Sequence, residues 1–148
     1  MKRLALVVVV GVLLAGCGGS GRLSQSAYEQ KLQSDVESAQ TPVAALVKTP
    51  PTSLADLTKK IDAAEAAVKK AADDLDSLKP PSDASADNDA IVAALRRIQK
   101  GLEQVKSNPT GAQSIVTATA GSAEVKAAET AAADLKKKGY RVPVIGVP

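Results

Sequence analysis

Between positions 54 and 78, apolar side chains recur three and four residues apart: Leu54, Leu57, Ile61, Ala64, Val68, Ala71, Leu75 and Leu78. At 3.6 residues per turn this spacing draws a single apolar stripe, the seam of a helical bundle or coiled coil. Ser53-Leu54-Ala55-Asp56 reads as the capping box that opens the helix, and Lys79-Pro80-Pro81 ends it. A helix with one apolar face cannot bury that face alone, so the chain must supply partners for it.

Three further segments have the same period. The first runs from about 24 to 40, with Tyr28, Leu32, Val36 and Ala39 on one face. Ser26-Ala27-Tyr28-Glu29 fits a capping box, with Ser24 as the alternative cap. Pro42 is predicted to kink or restart this helix, leaving Val43, Leu46 and Val47 to a short second piece. The third segment begins near Asp83 and carries the stripe Ile91, Leu95, Ile98, Leu102 and Val105 as far as Asn108-Pro109. The fourth runs from about 111 to 138, with Ile115, Ala118, Ser122, Val125, Ala128, Ala132 and Leu135 on a face and Gly139 as a left-handed cap. Short connections make sequential helices antiparallel. The expected fold is all-α: an antiparallel up-down four-helix bundle over residues 23–140. A three-helix bundle with a loosely attached first segment is the alternative.

The start of the chain has a different character. Met1-Lys2-Arg3 is positive, Leu4 to Leu14 is an apolar run broken by Gly11, and Leu14, Ala15 and Gly16 then lead with diminishing side chains to Cys17. Positive, apolar, small is the order of a secretory signal. The run is about 11 residues, against roughly 20 for a helix that spans a bilayer. Leu13-Leu14-Ala15-Gly16-Cys17 resembles the lipobox of bacterial lipoproteins. The resemblance implies that Leu14, Ala15 and Gly16 are read by the signal peptidase. It also implies that the Cys17 thiol takes up a diacylglyceryl group and that the chain is cut before it. No cofactor is expected beyond the covalent diacylglycerol and N-acyl (palmitate) lipid on Cys17.

On this reading residues 1–16 are the signal peptide. Residues 17–22 are the lipidated cysteine and a flexible tether around Gly18-Gly19-Ser20-Gly21, and residues 141–148 are a C-terminal tail. Cys17 is the only cysteine, so no internal disulfide can form. The partners implied are the lipoprotein processing enzymes during maturation and then membrane lipid through Cys17. The location implied is the extracytoplasmic face of the cell membrane; in a cell with two membranes, Gly18 would also suit sorting to the outer one. Leu23-Ser24 with Tyr28, Leu78-Lys79-Pro80-Pro81, and Lys137-Lys138-Gly139-Tyr140 further resemble a group of uncharacterised all-helical actinobacterial lipoproteins. That likeness carries no activity to any residue.

Charge and composition narrow the function classes. The chain has 19 Lys+Arg and 16 Asp+Glu. Without Lys2 and Arg3 the balance is 17 to 16, a net charge of +1. A nearly neutral domain gives no electrostatic case for nucleic acid. Histidine, phenylalanine and tryptophan are absent. That removes the commonest general base and nitrogen metal ligand along with most stacking platforms. No catalytic residue is assigned and no enzyme is expected.

Three clusters are candidate sites. Asp73, Asp74 and Asp76 at the end of the second helix converge, in an antiparallel pair, with Asp83, Asp87 and Asp89 at the start of the third. Their oxygens suit a cation such as Ca²⁺, although the spacing is not that of a calcium loop; the same aspartates also serve as a solvated helix end complementing the dipole. Lys136, Lys137, Lys138 and Arg141 lie at the end beside the tether, where anionic headgroups would attract them; they equally complement the dipole and neighbouring aspartates. The small-residue stretch Thr117 to Ser122 suits either the floor of a ligand groove or the close approach of a neighbouring helix. The leading expectation is a non-enzymatic structural or partner-binding role with an envelope protein as partner. A small-ligand or metal-ion binding lipoprotein is the alternative.

Overall fold

The computed structural model describes residues 21–143. The expected lipobox residues Leu14, Ala15 and Gly16, the expected lipidation site Cys17, and most of the segments read from sequence as tether and tail lie outside the described residues. Within them the chain is all-helical: α1 (Gln25–Lys48), α2 (Leu54–Ser77), α3 (Ser85–Ser107), a single 3₁₀ turn (Pro109–Gly111), α4 (Ala112–Ala120) and α5 (Ala123–Lys137).

Each helix starts and stops where local chemistry directs it. Ser24 caps α1, its hydroxyl accepting from the Ala27 N–H at 3.3 Å, so the cap is Ser24 rather than Ser26. Ser53 caps α2 by accepting from the Asp56 N–H at 3.1 Å, while the Asp56 carboxylate accepts from the Thr52 N–H at 3.0 Å. Backbone and side-chain bonds hold the Asp56 carboxyl below the usual range, led by the bond from Thr52 and followed by Lys60. α5 ends in a Schellman motif: Tyr140 N–H donates to Leu135 O, Gly139 N–H to Lys136 O, and Gly139 sits at φ 88°.

Two segments depart from the sequence expectation. α1 runs unbroken through Pro42 to Lys48 instead of restarting there. Proline withdraws its own N–H from the ladder and its ring crowds the carbonyl four residues back, but Val43 and Leu46 beyond it carry the apolar face onward against the core. The fourth segment, expected to be continuous, is divided into α4 and α5. Val116, Thr117 and Thr119 are β-branched and Gly121 is the poorest ordinary helix former. Ser122 then offers its hydroxyl to the Val125 N–H and starts a new helix. The α2 seam is also shorter than its sequence period: Ile61, Ala64, Val68, Ala71 and Leu75 are buried, but Leu54 is 67% exposed.

α1 packs on α2, α2 on α3, and α3 on both α4 and α5. The core is mainly Leu, Ile, Val and Ala, with Tyr28 and Tyr140 as its only aromatic members. Buried alanines let helices approach closely but each contributes little apolar area.

Three chain crossings meet at one end. The Leu23 N–H donates to Lys79 O at 2.8 Å, Arg22 Nη1 to Pro80 O at 2.8 Å, and Gln25 Nε2 to Gly139 O at 2.9 Å. This is the end from which the segment read in sequence as a tether departs, called the tether end below. The α1–α2 connection and the 3₁₀ turn lie at the far end, about 36 Å away along a 24-residue helix.

Candidate functional site

At the tether end the polar groups are mutually engaged. Tyr28 is fully buried; its hydroxyl donates to Asn88 Oδ1 at 3.2 Å, and Asn88 Nδ2 donates to Leu75 O at 3.1 Å. Three helices are thereby joined through one buried amide. The rings of Tyr28 and Tyr140 meet edge to face, centroids 5.9 Å apart. The Tyr140 hydroxyl donates to Asp83 Oδ1 at 2.8 Å. Burial, followed by the contact with Asp83, pushes Tyr140 up to about 12. Burial likewise raises Tyr28, with Asp87 adding to it.

The six aspartates do not form one cluster. Asp73 and Asp74 pair with Lys69 and Lys70 of their own helix, and Asp76 pairs with Arg96 of α3 at 2.8 Å. Asp83 takes Tyr140, Asp87 takes Lys138 at 2.6 Å, and Asp89 is exposed. Among the described residues, no three acidic, histidine or cysteine side chains come together in a way that could hold a metal ion.

The basic residues are divided too. Lys138 reaches Asp87 and the Asp83 carbonyl, and the hydrogen bond to Asp87 raises its pKa. Lys137 pairs with Asp134 at 3.0 Å, while Lys136 and Arg141 are exposed. Among the described residues, no helix is long and apolar enough to cross a membrane.

The far half of the molecule is arranged differently. An apolar groove opens between the last turns of α1 (Val43, Leu46, Val47), the second half of α3 (Ile98, Gly101, Leu102, Val105) and α4 (Ile115, Val116, Thr119). Its volume is about 100 Å³ and no charged side chain lines it. That is less than the roughly 150 Å³ of a dry, enclosed apolar cavity that holds benzene, and the groove is open to solvent along one side. The groove exists because α4 packs on α3 and not on α1, so the two walls face each other across a gap. The large apolar side chains left most exposed among the described residues are Val47 at 63%, Leu54 at 67% and Val116 at 46%, and all three belong to this end.

One polar group sits in the groove wall. Thr119 is 6% exposed, and its Oγ1 has no hydrogen-bond partner. It packs against Gly101, where a Cβ would lie 2.6 Å from Oγ1. A methyl group at position 101 would therefore displace the threonine.

The stretch Thr117 to Ser122, read from sequence as either a groove floor or a close-approach surface, supplies Thr119 to the wall. The α1 and α3 walls were not anticipated as a site. Ile98, Leu102 and Val105 have the period of ordinary core residues. The available signal was Gly101: glycine inside a helix is less favourable than alanine by about 1 kcal/mol, and its presence there points to a close contact. Compared with known protein families, curated proteins and solved structures, the chain matches none of them.

Proposed function

We propose that this chain is a lipid-anchored, non-enzymatic binding protein of the cell envelope. On this reading it is an antiparallel four-helix bundle whose fourth leg is split into α4 and α5, with a small-ligand groove in its membrane-distal half. The lipobox sequence Leu13-Leu14-Ala15-Gly16-Cys17 supports the anchor and the extracytoplasmic location. From Cys17 to Gly21 an extended chain spans at most about 14 Å. The backbone bond from Leu23 to Lys79 stops the tether from lengthening at the expense of the fold. The base of the bundle then stands close to the bilayer, and the groove about 20 to 30 Å above it.

The observation that carries the binding role is the uncharged apolar groove between α1, α3 and α4. It favours a small ligand over a protein partner. A specific protein interface buries about 1,200 Å² or more, whereas the exposed large apolar residues of this end are Val47, Leu54 and Val116. It favours an uncharged ligand over a metal ion for the same reason that a charge is not placed in an apolar wall.

Methyl-resolved NMR during a benzene titration tests the reading. Saturable shifts confined to Val43, Val47, Leu102, Ile115 and Val116 are expected. Shifts that never saturate, or that spread over the whole surface, would refute it. Lipidation is checked separately by the mass of the mature N-terminus, which should carry acyl groups on Cys17 and lose them, with membrane association, in Cys17→Ser.

A further inference from the structure

We infer that Thr119 makes the groove selective for a small neutral molecule with an apolar body and a hydroxyl or carbonyl oxygen, in preference to a plain hydrocarbon. This inference rests on the groove being a ligand site.

The argument starts from what a helical threonine normally does with its hydroxyl. Thr41, Thr58, Thr117 and Thr130 each donate to the carbonyl four residues earlier, at 2.9 to 3.1 Å. That bond is available to any threonine inside a helix. Thr119 lies two residues after Thr117 in the same helix and is the most buried of the five, yet its Oγ1 makes no bond. A buried hydroxyl without a partner destabilises a fold by about 1 to 3 kcal/mol. Valine would fill the same space without that loss.

A second departure coincides with the first. Gly101 stands in the middle of α3, where alanine is favoured, and its missing side chain is what makes room for the Thr119 hydroxyl. Two locally unfavourable choices meeting in one groove wall are the pattern of a site shaped for something other than stability. With ten lining residues and no charge among them, a polar atom on an otherwise apolar ligand finds Thr119 as the side chain able to donate to it or accept from it. Oγ1 faces Gly101, which itself lines the groove. A hydroxyl-bearing ligand supplies the partner that the helix does not.

The test compares benzene with phenol, which is neutral at pH 7 and adds one hydroxyl to the same ring. The protein is the chain from residue 17 onward carrying Cys17→Ser, in detergent-free buffer, which retains every element described above. Binding is read by methyl NMR at Val116 and Leu102. Phenol should bind at least about fivefold more tightly than benzene. In Thr119→Val that preference should vanish, with phenol binding no more tightly than benzene. Thr119→Ser should keep the preference, which guards against misreading a folding defect. Thr119→Val should also melt higher without ligand, so stability and phenol affinity move in opposite directions. Equal binding of both rings to the wild type, or a preference that survives in Thr119→Val, would overturn this inference and leave the groove reading standing. Failure of both rings to bind the wild type would overturn both.

Discussion

At the tether end, residues 22–25, 79–83 and 138–140 cross one another and are laced by backbone and side-chain bonds, with Tyr28, Asn88 and Tyr140 at the centre. At the far end Pro50 and Pro51 turn the chain from α1 into α2, α4 rests on α3 and not on α1, and Val47, Leu54 and Val116 face solvent. The same helices take part in both. The difference lies after α3: α5 closes one end through its Schellman turn, and α4, separated from α5 at Gly121-Ser122, packs on α3 and not on α1.

The largest expected contrast is in stability. Tyr28→Ala removes a fully buried ring from the closed end and should reduce the unfolding free energy by about 3 to 5 kcal/mol. Leu46→Ala in the wall of the groove should cost about 1 kcal/mol, because the side chain is only half-buried. Urea denaturation of both variants measures the gap. Equal losses would mean that the two halves are closed alike.

A finer test separates the polar contribution of the closed end from its packing. Tyr28→Phe keeps the ring but leaves Asn88 Oδ1 buried without a donor, an expected loss of about 1 to 3 kcal/mol. If Tyr28→Phe were neutral, the buried amide would not be holding α1, α2 and α3 together, and ring packing alone would explain the closure.

The two halves were unequally legible in the sequence. In α2 and α3 the apolar period, the Ser53 cap and the terminating prolines agree with one another, and the helices follow them. The Lys137-Lys138-Gly139-Tyr140 end was legible for the same reason, since a left-handed glycine after a run of lysines has few other uses. The break at Gly121 was not, because small residues are compatible with an uninterrupted Ala-rich helix until Ser122 is seen to act as a cap. Of the two outcomes expected at Pro42, a kink or a restart, the restart does not occur, since packing of Val43 and Leu46 carries the helix on. Neither the walls of the groove nor the unbonded state of Thr119 can be read from periodicity. The partners of the six aspartates were equally hidden, since i,i+4 lysines on α2 and a lysine beyond α5 claim several of them one at a time.

The smallest effect concerns Asp35, whose Oδ2, like Thr119 Oγ1, is buried without a partner. Asp35 lies on α1 in the more polar half of the molecule, where Asp74, Lys31 and Lys70 act on it. Its pKa is raised, first by burial and then by Asp74. Between the unfolded value near 3.9 and this higher folded value, the native state binds more protons than the unfolded chain, so stability falls as pH rises through that window. Asp35→Asn should therefore melt higher than wild type at pH 7, and the difference should shrink as pH is lowered and Asp35 takes up its proton. Asp56 and Asp73, whose pKa values are lowered, oppose this trend, but they contribute equally to both proteins and cancel in the difference. A melting difference that did not change with pH would mean that Asp35 is relieved by something other than a proton. The contrast with Thr119 is chemical. An unpartnered carboxylate can be relieved by the solvent's own protons, whereas a hydroxyl carries no charge to neutralise and is relieved only by a hydrogen-bond partner.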